Sequence, residues 1–166
     1  MTAASPLVSS HACGLDHRVA RWLTVLALAL AWFGQAQAAN CSSTGTGNWN
    51  TAATWTSCGG TVPQPADTAT VNAGHVVTLN AAPAGTATTL TVVGTLAVSS
   101  TLTVGTNVAI NAGTLQINAG AVVSVGTTIA HFITLSNSAA TLFQMNGGTL
   151  NVSGGITSAT TARAGT

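Results

Sequence analysis

Charge is the scarcest commodity in this chain: its 166 residues include three Lys or Arg and two Asp or Glu. Downstream of Ala38 the only fixed side-chain charges are Asp67 and Arg163. One arginine cannot supply the counterion release that drives nucleic-acid binding, so nucleic acid is excluded as a partner. One carboxylate cannot perform glycoside hydrolysis, which takes two, nor build a Ca²⁺ site, which wants several oxygen ligands.

Other absences narrow the field further. No stretch carries a sustained helical apolar stripe. No Cys-x-x-Cys or His-x-x-x-His occurs, so the convergent ligands of a zinc site are missing. No Gly-x-Ser-x-Gly is present, and without a nucleophile motif His75 and His131 are read as structural. His75 stands at a strand entrance, and His131 takes an inward or corner position after Ile129. The expectation that composition sets is a protein that is not an enzyme and holds no cofactor and no metal. Asn151-Val-Ser153 fits a glycosylation sequon, but so short a match carries no weight.

The amino-terminal segment is the one long apolar run. Arg18 and Arg21 precede an apolar stretch from Leu23 to Trp32, and Ala36-Gln37-Ala38 has the small-x-small form of a signal-peptidase site. Residues 1–38 are therefore expected to be a signal peptide, cut after Ala38. The run falls short of the roughly 20 apolar residues that cross a bilayer core of about 30 Å, so no stable membrane span is expected after cleavage. Asn40 stands before Cys41, where lipid attachment would want a small residue.

Of three cysteines, Cys13 falls in the leader, and Cys41 and Cys58 remain as a pair in an exported chain. A disulfide is the expectation. Residues 39–70 hold Trp49, Trp55, Pro63 and Pro65 among turn-forming residues, and read as an irregular cap. Trp49 and Trp55 are read as buried in that cap, with contact to glycan rings as the alternative if their faces are exposed. Asp67 is read as an acceptor for backbone N–H groups in the turn after Pro63 and Pro65.

Beyond residue 70 the pattern is one of apolar doublets separated by a single residue: Leu90/Val92, Leu96/Val98, Leu102/Val104, Val108/Ile110, Leu115/Ile117, Val123/Val125, Ile133/Leu135 and Leu150/Val152. Strand side chains alternate faces, so each doublet puts two apolar groups on one side and the residue between them on the other. Early doublets are about six residues apart, with Gly, Ser and Asn between them, so three would complete a coil. The fold expected is an all-β, right-handed parallel β-helix, a solenoid over residues 71–166 capped by 39–70. The triplets Gly94-Thr-Leu96, Gly113-Thr-Leu115 and Gly148-Thr-Leu150, with Ile133-Thr-Leu135 filling the last gap, imply coils of roughly 17 to 21 residues. A left-handed hexapeptide helix tolerates poorly the longer steps from Val108 to Leu115 and Leu115 to Val123. Asn107, Asn111 and Asn118 are candidates for stacked amide ladders. An ice-binding threonine array is not expected, because the outward residues Ala97, Gln116, Thr134 and Asn151 form no lattice. The repeat stops without a second cap, and the chain reads as the first coils of something longer.

The segment Gly47-Asn-Trp-Asn-Thr-Ala-Ala-Thr-Trp55, followed by Val62-Pro63, Asp67 and Val71-Asn-Ala-Gly-His-Val-Val-Thr-Leu79, resembles the N-terminal portion of bacterial extracellular right-handed β-helices, including G8-like domains and adhesin or autotransporter passengers. With its flanking Cys41 and Cys58 it is also similar to proteins related to biogenesis of the mannose-sensitive haemagglutinin pilus. The resemblance implies a secreted or cell-surface protein of a Gram-negative bacterium, in the periplasm or outside the outer membrane. The expected role is a non-enzymatic, adhesin-like scaffold whose partners are surface glycans or further copies of surface protein. The alternative is a carbohydrate-binding module or a remnant of a polysaccharide-active β-helix enzyme.

Overall fold

The structure, a computed structural model, describes residues 37–158. Most of the expected signal peptide, Cys13 and Arg163 lie outside the described residues. Short β-branched and leucine-rich segments form the strands, most of them with two buried apolar residues flanking one outward residue. In chain order, β1 (Asn40–Ser43), β2 (Gly47–Asn48), a 3-10 turn (Ala52–Thr54) and β3 (Trp55–Thr56) come first. The rest fall into triplets: β4 (Thr68–Val71), β5 (Val76–Leu79) and β6 (Gly85–Ala87), then β7 (Thr89–Val92), β8 (Thr95–Val98) and β9 (Thr101–Val104). After them come β10 (Val108–Ile110), β11 (Thr114–Asn118) and β12 (Val122–Val125), then β13 (Phe132–Leu135), β14 (Leu142–Asn146) and β15 (Thr149–Val152), and β16 (Gly155–Ser158).

The protein is all-β, with parallel sheets of stacked strands. Each triplet contributes one strand to each of three sheets, ordered β16-β13-β10-β7-β4-β1-β3, β14-β11-β8-β5-β2 and β15-β12-β9-β6. Among the described strands only β3 runs antiparallel, beside β1. Residues 39–70 are thus less irregular than their composition implies: β1 pairs with β4 and β2 with β5, both in parallel. Their short strands escape a search for apolar doublets because Ser43 and Gly47 stand where later strands carry Val or Leu.

Doublet residues form continuous interior columns. Ala69, Leu90, Val108 and Ile133 align in the first sheet, Val77, Leu96 and Leu115 in the second, and Leu102 and Val123 in the third. All are essentially excluded from water. Each fully buried Leu, Val or Ile contributes about 1.5–3 kcal/mol relative to exposure, and this burial on one face is what fixes strand register.

The repeat length differs from expectation in the later triplets. Ser99 and Asn118 occupy equivalent corners 19 residues apart, but the next equivalent, Asn146, lies 28 residues on. Two exposed loops absorb the excess, 126–131 and 136–141, the first carrying the fully projecting Ile129. Consequently the triplets Gly94-Thr-Leu96 and Gly113-Thr-Leu115 do align, but Phe143 follows them; Leu150 aligns with Val123, and Ile133 with Val108. The residues Ala97, Gln116, Thr134 and Asn151 likewise lie on three different sheets rather than one face. Thr134 belongs with Thr70, Thr91, Ala109 and Thr157, a column broken at Ala109.

A physical reason for the aligned Gly-Thr-Leu triplets is the crowding at that corner. A Cβ on Gly113 would stand 2.6 Å from the carbonyl oxygens of Gly94 and Val92, and one on Gly94 would collide with those of Asn72 and His75. Of the asparagines expected to ladder, Asn118 does so: its Nδ2 donates to Ser99 Oγ (2.8 Å) and its Oδ1 accepts from Asn146 Nδ2 (3.3 Å). Asn107 instead accepts from the Phe132 N–H through Oδ1 (2.8 Å), and Asn111 donates its backbone N–H to Val92.

Candidate functional site

Chemistry-bearing side chains gather at the amino-terminal end. Cys41 and Cys58 are joined by a disulfide, Cα atoms 4.8 Å apart, and both are buried. The bridge clips β1 to the loop after β3. Asp67 lies beside it, its Oδ2 3.8 Å from Cys41 Sγ. The three ligand-type atoms of Cys41, Cys58 and Asp67 fall within 4.8 Å of one another. Disulfide sulfurs carry neither proton nor negative charge, so in the oxidised protein this cluster offers a metal one carboxylate and no thiolate.

Asp67 accepts backbone hydrogen bonds, as its place in the turn predicts. Its Oδ2 takes the Gln64 N–H at 2.8 Å while its own N–H donates to Gln64 O at 2.9 Å, closing the turn that contains Pro65. Its Oδ1 takes Ala39 N at 2.7 Å, and its carbonyl takes the Thr88 N–H at 2.6 Å. A single buried residue thus ties Ala39, the turn and the link into β7 together.

Trp49 and Trp55 are both buried, at 0% and 6% exposure. Their rings meet edge to face with centroids 4.8 Å apart, and Trp55 Nε1 donates to Trp49 O at 2.8 Å. A sugar ring needs an open aromatic face, and neither indole offers one. The alternative of glycan contact through Trp49 and Trp55 is therefore corrected: the rings are consumed by the core, where Trp49 fills space that Gly85 leaves open.

A serine–histidine contact is present that the sequence did not disclose. Ser43 Oγ lies 2.8 Å from His75 Nδ1 and accepts the Asn72 N–H at 2.9 Å, while Asn72 Nδ2 donates to Ser43 O at 2.7 Å. The partners are 32 residues apart, so only the parallel pairing of β1 and β4 could have predicted the meeting. Ser43 is 2% exposed, and the hydrogen-bond partners of Asp67 lie elsewhere. The contact has the form of a structural link rather than an exposed nucleophile with an oriented base. His131 is likewise absorbed by its own loop, Nδ1 accepting from Thr127 N at 3.1 Å and lying 3.4 Å from Thr128 N.

One open groove runs over β12 and β15, lined by Ser124, Gly126, Leu150, Asn151, Val152 and Ser153. Its polar groups are hydroxyls and an amide, with no titratable side chain among them. Among the described residues no helix is long and apolar enough to cross a membrane. Comparison with protein-family models, with curated proteins and with solved structures finds no match for this chain.

Proposed function

We propose that the exported chain is a right-handed parallel β-helix acting as a non-enzymatic, adhesin-like scaffold at the surface of a Gram-negative cell. The observation that carries this reading is the recurrence of parallel pairing between strands three apart, through every triplet. Such an arrangement displays long outward columns of small polar residues, such as Thr86, Thr103, Ser124 and Asn151, on a rigid base. The polar side chains of the groove suit hydrogen bonding to neutral partners, and the described residues include no Lys or Arg to attract anionic ones. Surface glycans or further copies of surface protein are the partners proposed.

The test is cell fractionation with surface labelling, followed by measurement of adhesion of cells with and without the protein. Recovery at the cell exterior and loss of adhesion on deletion support the reading. Recovery in the cytoplasm, or a surface protein whose loss leaves adhesion unchanged, overturns it.

A further inference from the structure

Asp67 is the only acidic side chain among the described residues, and it is 5% exposed. A buried carboxylate needs a compensating positive charge or a dense set of hydrogen bonds, since an isolated ion is strongly penalised in a low dielectric. No Lys or Arg occurs in the described segment. The two histidines are engaged elsewhere, His75 with Ser43 and His131 with Thr127. The two groups that donate to the carboxylate oxygens are backbone nitrogens, those of Gln64 and Ala39.

One of those nitrogens belongs to the residue that follows the expected cleavage point. Gln37 and Ala38 are exposed, whereas Ala39 is partly buried, packs against the core and accepts the Thr68 N–H through its carbonyl at 2.9 Å. We propose that the Ala38–Ala39 bond is a processing site, and that the α-ammonium released at Ala39 forms an ion pair with Asp67, fastening the mature amino terminus to the turn. In the processing step an endopeptidase adds water across the bond. The C–N bond breaks, the hydroxyl passes to the Ala38 carbonyl carbon to give a carboxylate, and the nitrogen gains protons to become the ammonium. That nitrogen is the atom found 2.7 Å from Asp67 Oδ1. Charge-assisted bonds of this kind are roughly twice as strong as neutral ones. Processing thus converts a peptide hydrogen bond into a countercharge that no described side chain offers Asp67.

The inference rests on the export reading, and its test separates the two. The full chain is expressed with export, recovered from outside the cytoplasm, and its amino terminus sequenced. The chain contains no lysine, so an α-amine at Ala39 is its sole primary amine, and an acetylating ester reports on it alone. A terminus at Ala39 is expected, acetylated in the native protein at least roughly tenfold more slowly than in urea, the factor corresponding to one pKa unit. Asp67→Asn should restore fast acetylation. If that variant does not fold, the native-to-urea ratio of the wild-type chain decides alone. An exported protein that begins at another residue, or an Ala39 amine that reacts equally fast folded and unfolded, overturns the ion pair and leaves the export reading standing. A chain that stays in the cytoplasm with residues 1–38 attached overturns both.

Discussion

Gly85 faces Trp49 across the interior, and the space one lacks is the space the other fills. A Cβ on Gly85 would lie 3.2 Å from Trp49 Nε1, 3.1 Å from Leu102 Cδ1 and 2.7 Å from Leu79 Cδ2. Leucine at position 85 should destabilise the fold by about 1–3 kcal/mol through overpacking, and Trp49→Ala by about 3–5 kcal/mol through a cavity. The double variant should lose less than the two singles together, because the new side chain enters the vacated volume. Urea denaturation of the four proteins measures this, and strict additivity would falsify the pairing.

Removing the Cys41–Cys58 bridge should lower stability by about 2–4 kcal/mol without abolishing the strands, since β4 onward hold one another through their own ladders. Paired alanine substitutions at both positions, followed by circular dichroism and urea titration, check it. Loss of all β signal at room temperature is the contrary outcome.

Interior and corner substitutions should separate cleanly in size. Leu115→Ala removes a fully buried side chain and is expected to cost about 2–5 kcal/mol. Asn118→Ala breaks the links to Ser99 and Asn146 in a half-buried corner, with an expected loss of about 1 kcal/mol. Equal effects would show that the corner amides are as important as the core.

Ser43→Ala strands the Asn72 N–H and deprives His75 Nδ1 of its partner, so a loss of about 1–3 kcal/mol is expected. Ser43 should also resist a fluorophosphonate probe, because its hydroxyl is buried. Stoichiometric labelling at Ser43, detected by peptide mass spectrometry, would reveal a nucleophile.

Most of the stacking was legible in the doublets, because burial on one strand face writes itself directly into an alternating sequence. β6 escaped notice: Gly85 and Ala87 contribute almost no apolar side chain, and their smallness answers Trp49 rather than the repeat. β14 escaped as well, since Phe143 and Met145 replace the usual Val and Leu. Coil length departs from the apolar period only in the later triplets, where the loops at 126–131 and 136–141 insert residues that no apolar period records. The role of Asp67 could be anticipated from its turn, but its bond to Ala39 spans 28 residues and depends on β1 pairing with β4. For the same reason the Ser43–His75 contact left no local trace.

The three-sheet ladder also has a mechanical meaning. Because successive triplets are joined only to their neighbours in the stack, a pull applied between the two ends loads the ladders in series rather than all at once. The least buried strands, β14 with Leu142 and Met145 at 45% exposure and β16 with Ile156 at 51%, would yield first. The end stapled by the disulfide would yield last. Such a ladder lengthens stepwise under tension, dissipating load among its least buried strands while the bridged strands hold their places.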